Sequence, residues 1–112
     1  MSKYTFVVFS GPTAGQEDEY NRWYNEQHLP DVLKVTGFVA AQRFRLQPGP
    51  NDAADAPAKY LALYEIETDD LQAAMADLSS RAGTPAMQMS PALNTSALST
   101  MMGEAITERM LA

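Results

Sequence analysis

Two strand–helix–strand runs follow one another in this chain of 112 residues. That order predicts an α+β fold of the ferredoxin-like βαββαβ type, a four-stranded antiparallel sheet with both helices on one face. Three observations carry the prediction. Short apolar runs with strand periodicity occur at 4–9, 38–46 and 59–67, an aromatic stripe with helical periodicity lies between the first two, and an aliphatic stripe follows the third. At this length the whole chain, 1–112, is expected to be one domain.

Tyr4 to Phe9 reads as the first strand. Tyr4, Phe6 and Val8 fall on one face, Val7 and Phe9 on the other, and Ser10-Gly11-Pro12 ends it. Gln16 to Leu29 reads as a helix whose first turn holds Glu17, Asp18 and Glu19, placed favourably at the positive end of the helix dipole. Tyr20, Trp23, Tyr24 and Gln27 share an arc of roughly 100°, and His28 falls about 40° beyond Tyr24, at the edge of the stripe. Pro30 is expected to break or kink the helix after Leu29, or to start a short extra turn through Lys34. Gly37 suits a left-handed C-terminal position.

Phe38 to Leu46 reads as the second strand, with Phe38, Ala40, Gln42, Phe44 and Leu46 on one face and Val39, Ala41, Arg43 and Arg45 on the other. Pro48 to Pro57 is a loop by composition, long enough to be mobile or a lid. Lys59 to Glu67 is the third strand, where Tyr60, Ala62, Tyr64 and Ile66 oppose Leu61, Leu63 and Glu65. Asp69 and Gln72 resemble a capping box, opening a helix through about Ser80 with Leu71, Ala74, Met75 and Leu78 on one face; Gly83 and Pro85 stop it. Thr84 to Ser96 reads as loop or short helix. Ala97 to Met110 is assigned as the last strand, with Gly103 pointing to a bulge.

In the first and third strands both faces are apolar. One face takes the helices, and nothing remains in the chain to cover the other. A second copy joined sheet to sheet in a two-fold dimer is the economical solution.

Composition narrows the function. Eight basic against fourteen acidic residues give a net charge of −6, which argues against nucleic acid and anionic membranes as partners, since both require a cationic footprint. The absence of cysteine excludes disulfides, thiolate nucleophiles and Cys-ligated metals and fits a reducing compartment. The apolar N-terminal run is too short for a signal-peptide core, and no segment approaches the ~20 apolar residues of a membrane span. A cytoplasmic location is expected. One histidine among scattered carboxylates lacks the ligand cluster of a zinc site, and no glycine-rich phosphate cradle follows a strand. No metal or cofactor is expected.

His28 is the only histidine, and no other side-chain type has an ordinary pKa near neutrality. It closes the segment Tyr20-Asn21-Arg22-Trp23-Tyr24-Asn25-Glu26-Gln27-His28-Leu29-Pro30-Asp31-Val32. With Thr36-Gly37-Phe38-Val39-Ala40-Ala41-Gln42-Arg43-Phe44, this segment resembles the EthD-like group of the dimeric α/β-barrel superfamily, whose pattern is an aromatic helix, His-Leu-Pro, a Gly turn and a strand ending Arg-Phe. The likeness covers residues 1–46; the second half matches in element order and, weakly, at Gly103 to Arg109. The resemblance implies a homodimer whose two sheets make a barrel, with a small-molecule cleft between helices and sheet. Its wider relatives include cofactor-free monooxygenases, cyclases, isomerases and haem-binding enzymes, and shared fold does not fix the reaction.

The candidate catalytic residues are therefore His28, as general acid/base, and Tyr24, which would orient a substrate oxygen. Trp23, Arg43 and Tyr64 are the candidate substrate-binding residues, for an apolar or aromatic metabolite. Each has a structural alternative. His28 suits a helix C-terminus, and Trp23, Tyr24 and Tyr64 suit a core. Arg43 would bind a carboxylate or enolate oxygen, or else pair with Glu65 or Glu67 on a neighbouring strand. Asp31 would hold the imidazole in one tautomer or serve as a first-turn acid. The expected function is a cofactor-independent lyase, isomerase, cyclase or monooxygenase. The alternatives are a non-catalytic ligand-binding dimer of a degradative pathway and a haem-binding protein with His28 as ligand.

Overall fold

The computed structural model describes residues 1–47, 49 and 58–112. Four strands, β1 (Ser2–Ser10), β2 (Phe38–Arg45), β3 (Tyr60–Thr68) and β4 (Ser99–Glu104), form one sheet in the order β2-β3-β1-β4, with every neighbouring pair antiparallel. Helical backbone over α1 (Glu17–Trp23), a wider turn (Tyr24–His28) and α2 (Leu29–Val32) connects β1 to β2, and α3 (Leu71–Arg81) lies between β3 and β4. This is the ferredoxin-like α+β arrangement. The loop expected over 48–57 lies outside the described residues except for Gly49.

The core lies between the helices and one sheet face. Register pairs Tyr4 with Ile66, Phe6 with Tyr64, Val8 with Ala62 and Ser10 with Tyr60. Those alternate residues meet Tyr20, Trp23, Tyr24 and Val32 from the first helical stretch, and Ala74, Leu71, Met75 and Leu78 from α3, in one cluster. The opposite face carries Val7, Phe9, Leu61 and Leu63, half-buried, with Phe44 and Met101 exposed beside them. The apolar second face of β1 and β3 is thus not covered by the described residues.

Three sequence expectations change and a fourth is decided between its alternatives. Pro30 does not end the helix; of the two expectations for it the extra turn holds, since Pro30 sits in the first turn of α2. The turn before it widens, and the Leu29 N–H donates to the Tyr24 carbonyl five residues back. Pro30 has no N–H for the carbonyl four residues earlier, and its ring would crowd that group in α geometry; a turn one residue wider removes both conflicts. In β2 the register shifts between Phe38 and Ala40. This bulge puts Ala41, Arg43 and Arg45 on the helix side with Phe38, not opposite it, because an extra residue reverses the alternation.

The α3 cap is Asp70 rather than Asp69: its Oδ1 accepts the Ala73 N–H at 3.0 Å. Asp69 instead sits 3.7 Å from the N-terminal ammonium. Asp70→Ala is expected to cost about 1 kcal/mol, read as a lowered urea midpoint with an unchanged m-value, whereas Asp69→Ala is expected to leave the midpoint nearly unmoved. The last strand covers only Ser99–Glu104, all of it exposed, and Gly103 pairs with Thr5 in unbroken register. With both faces open to water, β4 has no alternation to read.

Candidate functional site

The wide turn sets the geometry of the aromatic cluster. In a π turn, residues five apart stand above one another, so His28 lies on Trp23. Their ring centroids are 4.7 Å apart and the planes differ by 24°. Tyr24 meets the imidazole edge-on at 5.1 Å and 90° and the Trp23 indole at 5.2 Å. The helix arithmetic at 100° per residue placed His28 at the stripe's edge; the wider turn draws it in. Trp23 and Tyr24 are 2% and 3% exposed. The Trp23 Nε1–H donates to the Gln88 carbonyl at 3.0 Å, and Gln27 Nε2 donates to Gln88 Oε1 at 3.1 Å. The segment around Gln88 is therefore strapped across this face of the helix.

His28 is held uncharged. Burial disfavours the imidazolium and lowers its pKa from 6.5 to about 4, against a smaller opposing pull from the Asp31 carboxylate. Its Nδ1 is buried with no hydrogen-bond partner. A buried ring nitrogen without a partner forgoes a hydrogen bond that water would otherwise supply. Such atoms are rare enough to mark a candidate ligand-contact point.

Arg43 sits on the other side of Tyr24. Its Cζ lies 4.4 Å from the Tyr24 ring centroid and 5.2 Å from those of Tyr20 and Tyr60. Nη1 donates to Asn25 Oδ1 at 2.7 Å and Nη2 to Asn21 Oδ1 at 2.9 Å, while Nε is buried without a partner. Glu65 and Glu67 are not its partners. Glu65 pairs in register with Ala40 and Arg43 with Ala62, so the bulge has turned the guanidinium to the opposite face from the two carboxylates.

Beneath lies a network of phenols. Ser10 Oγ and the Tyr20 hydroxyl share a hydrogen bond of 2.6 Å, and the Tyr60 hydroxyl donates to Glu17 Oε2 at 2.6 Å. Tyr64 is buried between Phe6 and Phe38, each at 6.0 Å, and its hydroxyl interacts with that of Tyr24. Burial raises the pKa of Tyr20, Tyr24 and Tyr64, and the Arg43 charge opposes this without reversing it. These phenols stay protonated, as hydrogen-bond donors rather than bases.

All five predicted site residues thus fall in one connected cluster: Trp23 on His28, His28 on Tyr24, and Tyr24 on Arg43 and Tyr64. Asn21, Asn25 and Gln88 were missed. Asn21 and Asn25, one turn apart, carry a signal in their spacing, but only the reversed face of β2 makes them partners for Arg43. Gln88 acts partly through its backbone carbonyl and leaves no sequence signal. Among the described residues no group of three or more His, Cys, Asp or Glu is placed to hold a metal ion, and no helix is long and apolar enough to cross a membrane.

No protein-family model matches the chain, and no curated protein matches it. Solved structures do. An ethyl tert-butyl ether D (EthD) family protein from Bacillus halodurans is 12% identical over 95% of this chain and 100% of that one, with a TM-score of 0.56. A variant of MhuD with two manganese protoporphyrin IX molecules bound per active site is 17% identical over 96% and 98%, with a TM-score of 0.59. HapK from Hahella chejuensis is 15% identical over 100% and 99%, with a TM-score of 0.55. At these identities the likeness shows a shared fold.

Proposed function

We propose that the chain forms a cytoplasmic homodimer, sheet against sheet, that binds an apolar or aromatic small molecule. His28 transfers a proton in a cofactor-independent reaction of the lyase, isomerase, cyclase or monooxygenase type. The observation that carries this reading is the neutral imidazole stacked on Trp23 with its Nδ1 buried and unpartnered. The unpartnered Nδ1 leaves a lone pair for a substrate proton, and the indole offers a flat wall for an aromatic substrate; a pKa of about 4 makes the free ring a weak base, so proton transfer needs the Asp31 carboxylate or the substrate's own charge to stabilise the imidazolium. Tyr24 and Tyr64 supply neutral O–H donors, and Arg43 supplies positive charge where an enolate or phenolate oxygen would develop. Trp23 and Tyr24 are nearly sealed while His28 is half-buried, so a ligand would meet the imidazole first. The uncovered apolar face of β1 and β3 supports the dimer. Sharing a fold with a porphyrin-bound protein keeps haem as the rival ligand.

Trp23 is the only tryptophan, so quenching of its fluorescence screens a panel of phenols, naphthols and β-diketones for binding, with mass spectrometry following their conversion. His28→Gln is expected to retain quenching and lose turnover by roughly 10²–10⁴-fold, the usual contribution of a positioned acid/base. Turnover equal to the parent's would remove His28 from the chemistry. Binding without conversion in the parent protein would favour the accessory ligand-binding dimer. A Soret band on titration with haem, lost in His28→Gln, would favour haem binding.

A further inference from the structure

Trp23, Tyr24, Tyr20 and Tyr60 form an unbroken file of easily oxidised rings. Their centroids are 5.2 Å apart from Trp23 to Tyr24, 5.5 Å from Tyr24 to Tyr20 and 5.4 Å from Tyr20 to Tyr60. Each step is a direct ring contact. The file starts at the indole stacked on His28 and ends at an exposed carboxylate, since the Tyr60 hydroxyl donates to Glu17 Oε2 at 2.6 Å. The two ends differ in their proton acceptors. An indole or phenol that loses an electron becomes a strong acid, and the electron hole settles where a base takes the proton. The Trp23 Nε1–H points at the Gln88 carbonyl, which is no base, and the imidazole lies flat on the indole with its lone pair directed elsewhere. Tyr20 and Tyr24 meet the hydroxyls of Ser10 and Tyr64 and the Arg43 guanidinium, whose Cζ is 5.2 and 4.4 Å from their centroids. A cation over a ring opposes positive charge on it. Arg43 and Arg45 also lie 5.2 and 5.9 Å from the Tyr60 ring, but a phenol that has passed its proton to Glu17 carries no charge for them to repel. Among the described residues no other tyrosine hydroxyl is hydrogen-bonded to a carboxylate.

We infer that this file is a hole-transfer route, which carries a one-electron oxidation from Trp23 to Tyr60 and discharges it at the surface through Glu17. The oxidant it serves is an organic peroxyl radical formed against the His28–Trp23 face. Trp23 gives that radical one electron, leaving a peroxide anion and an indole radical cation. The indole recovers one electron from Tyr60 through Tyr24 and Tyr20. The Tyr60 hydroxyl proton passes to Glu17, leaving a neutral phenoxyl and a protonated carboxyl. A soluble one-electron reductant such as ascorbate then returns the phenoxyl to phenol, and Glu17 returns the proton. The route clears an oxidising radical from the site before it attacks the side chains there. It goes beyond the acid/base reading and stands whether or not His28 transfers a proton.

Trp23 is the only tryptophan, and the chain has no cysteine to compete for the hole. Laser photoionisation of Trp23 at the red edge of its absorption, with the ejected electron captured by a dissolved scavenger, starts the transfer in the full-length protein. The indolyl absorption is expected to give way to that of a phenoxyl at one first-order rate, independent of protein concentration. Tyr60→Phe is expected to lengthen the indolyl lifetime and remove most of the phenoxyl. Glu17→Gln changes one surface carboxylate, keeps all four rings, and is expected to slow the transfer by roughly tenfold or more, because an amide does not take a proton as a carboxylate does. An indolyl radical that decays in the parent without forming phenoxyl, or a parent-like rate in either variant, would overturn the route. Phenoxyl lost in Tyr64→Phe but kept in Tyr60→Phe would also overturn it, by placing the hole on the Tyr24–Tyr64 pair. Turnover in His28→Gln is read separately, so the failure of either reading leaves the other standing.

Discussion

Trp23→Ala is expected to cost about 3–5 kcal/mol of folding free energy, the range for removing a buried Trp or Phe side chain from a core. Three losses add here. The 2%-exposed indole leaves a cavity among Tyr24, His28 and the Gln88 segment. The Gln88 carbonyl loses its donor, and the imidazole loses the ring it stacks on. Trp23→Phe separates these terms: it keeps most of the apolar volume but removes the N–H, and is expected to cost about 1–2 kcal/mol. Urea unfolding followed by circular dichroism measures both, since neither variant retains a tryptophan to report. Water entering the Trp23→Ala cavity should also restore hydration to the imidazole and raise the His28 pKa toward 6.5. A Trp23→Ala chain as stable as the parent would show that the indole is not packed as described.

His28 should make folding stability fall with acidity between pH 6.5 and 4. His28 has a folded-state pKa of about 4 against 6.5 unexposed to burial, so in that window the unfolded chain binds a proton that the folded chain refuses. Stability therefore rises with pH across the window. Relative to neutral pH the loss from His28 is about 2 kcal/mol at pH 5 and about 3 kcal/mol at pH 4, levelling below that. Carboxylates titrate in the same range, so the quantity to compare is the pH slope of the parent with that of His28→Gln. Glutamine carries no titrating group, and its slope between pH 6.5 and 5 should be shallower whatever its own packing cost. Equal slopes would mean that His28 titrates alike folded and unfolded.

The elements that position the site were legible where side chains meet the core. Tyr4, Phe6 and Val8 alternate with Val7 and Phe9, and the strand built from them lies centrally, between β3 and β4. Tyr20, Trp23 and Tyr24 read as one helical face and do share one. What escaped the pattern are departures from a fixed period. The wide turn at Tyr24–His28 inserts one residue per turn, a change driven by Pro30 that does not show in the apolar spacing. The bulge after Phe38 reverses β2, so a face assigned by alternation alone sent Arg43 toward the acids and away from the tyrosines. Asp69 and Asp70 are both competent caps, and only backbone geometry chooses between them. β4 and residues 105–112 after it were illegible for a different reason: among the described residues nothing covers their apolar side chains.

The neutral state of His28 underlies both its acid/base role and the pH dependence of folding, and a chain with a single histidine allows it to be read directly. In ¹⁵N-labelled full-length protein, the one set of imidazole nitrogen and carbon-bound proton resonances can be followed from pH 8 to the acid limit of the folded state. The expected result is an uncharged ring at neutral pH, with a midpoint near 4. A midpoint near 6.5 would describe a solvated histidine at a helix end, and would contradict the site proposed for it.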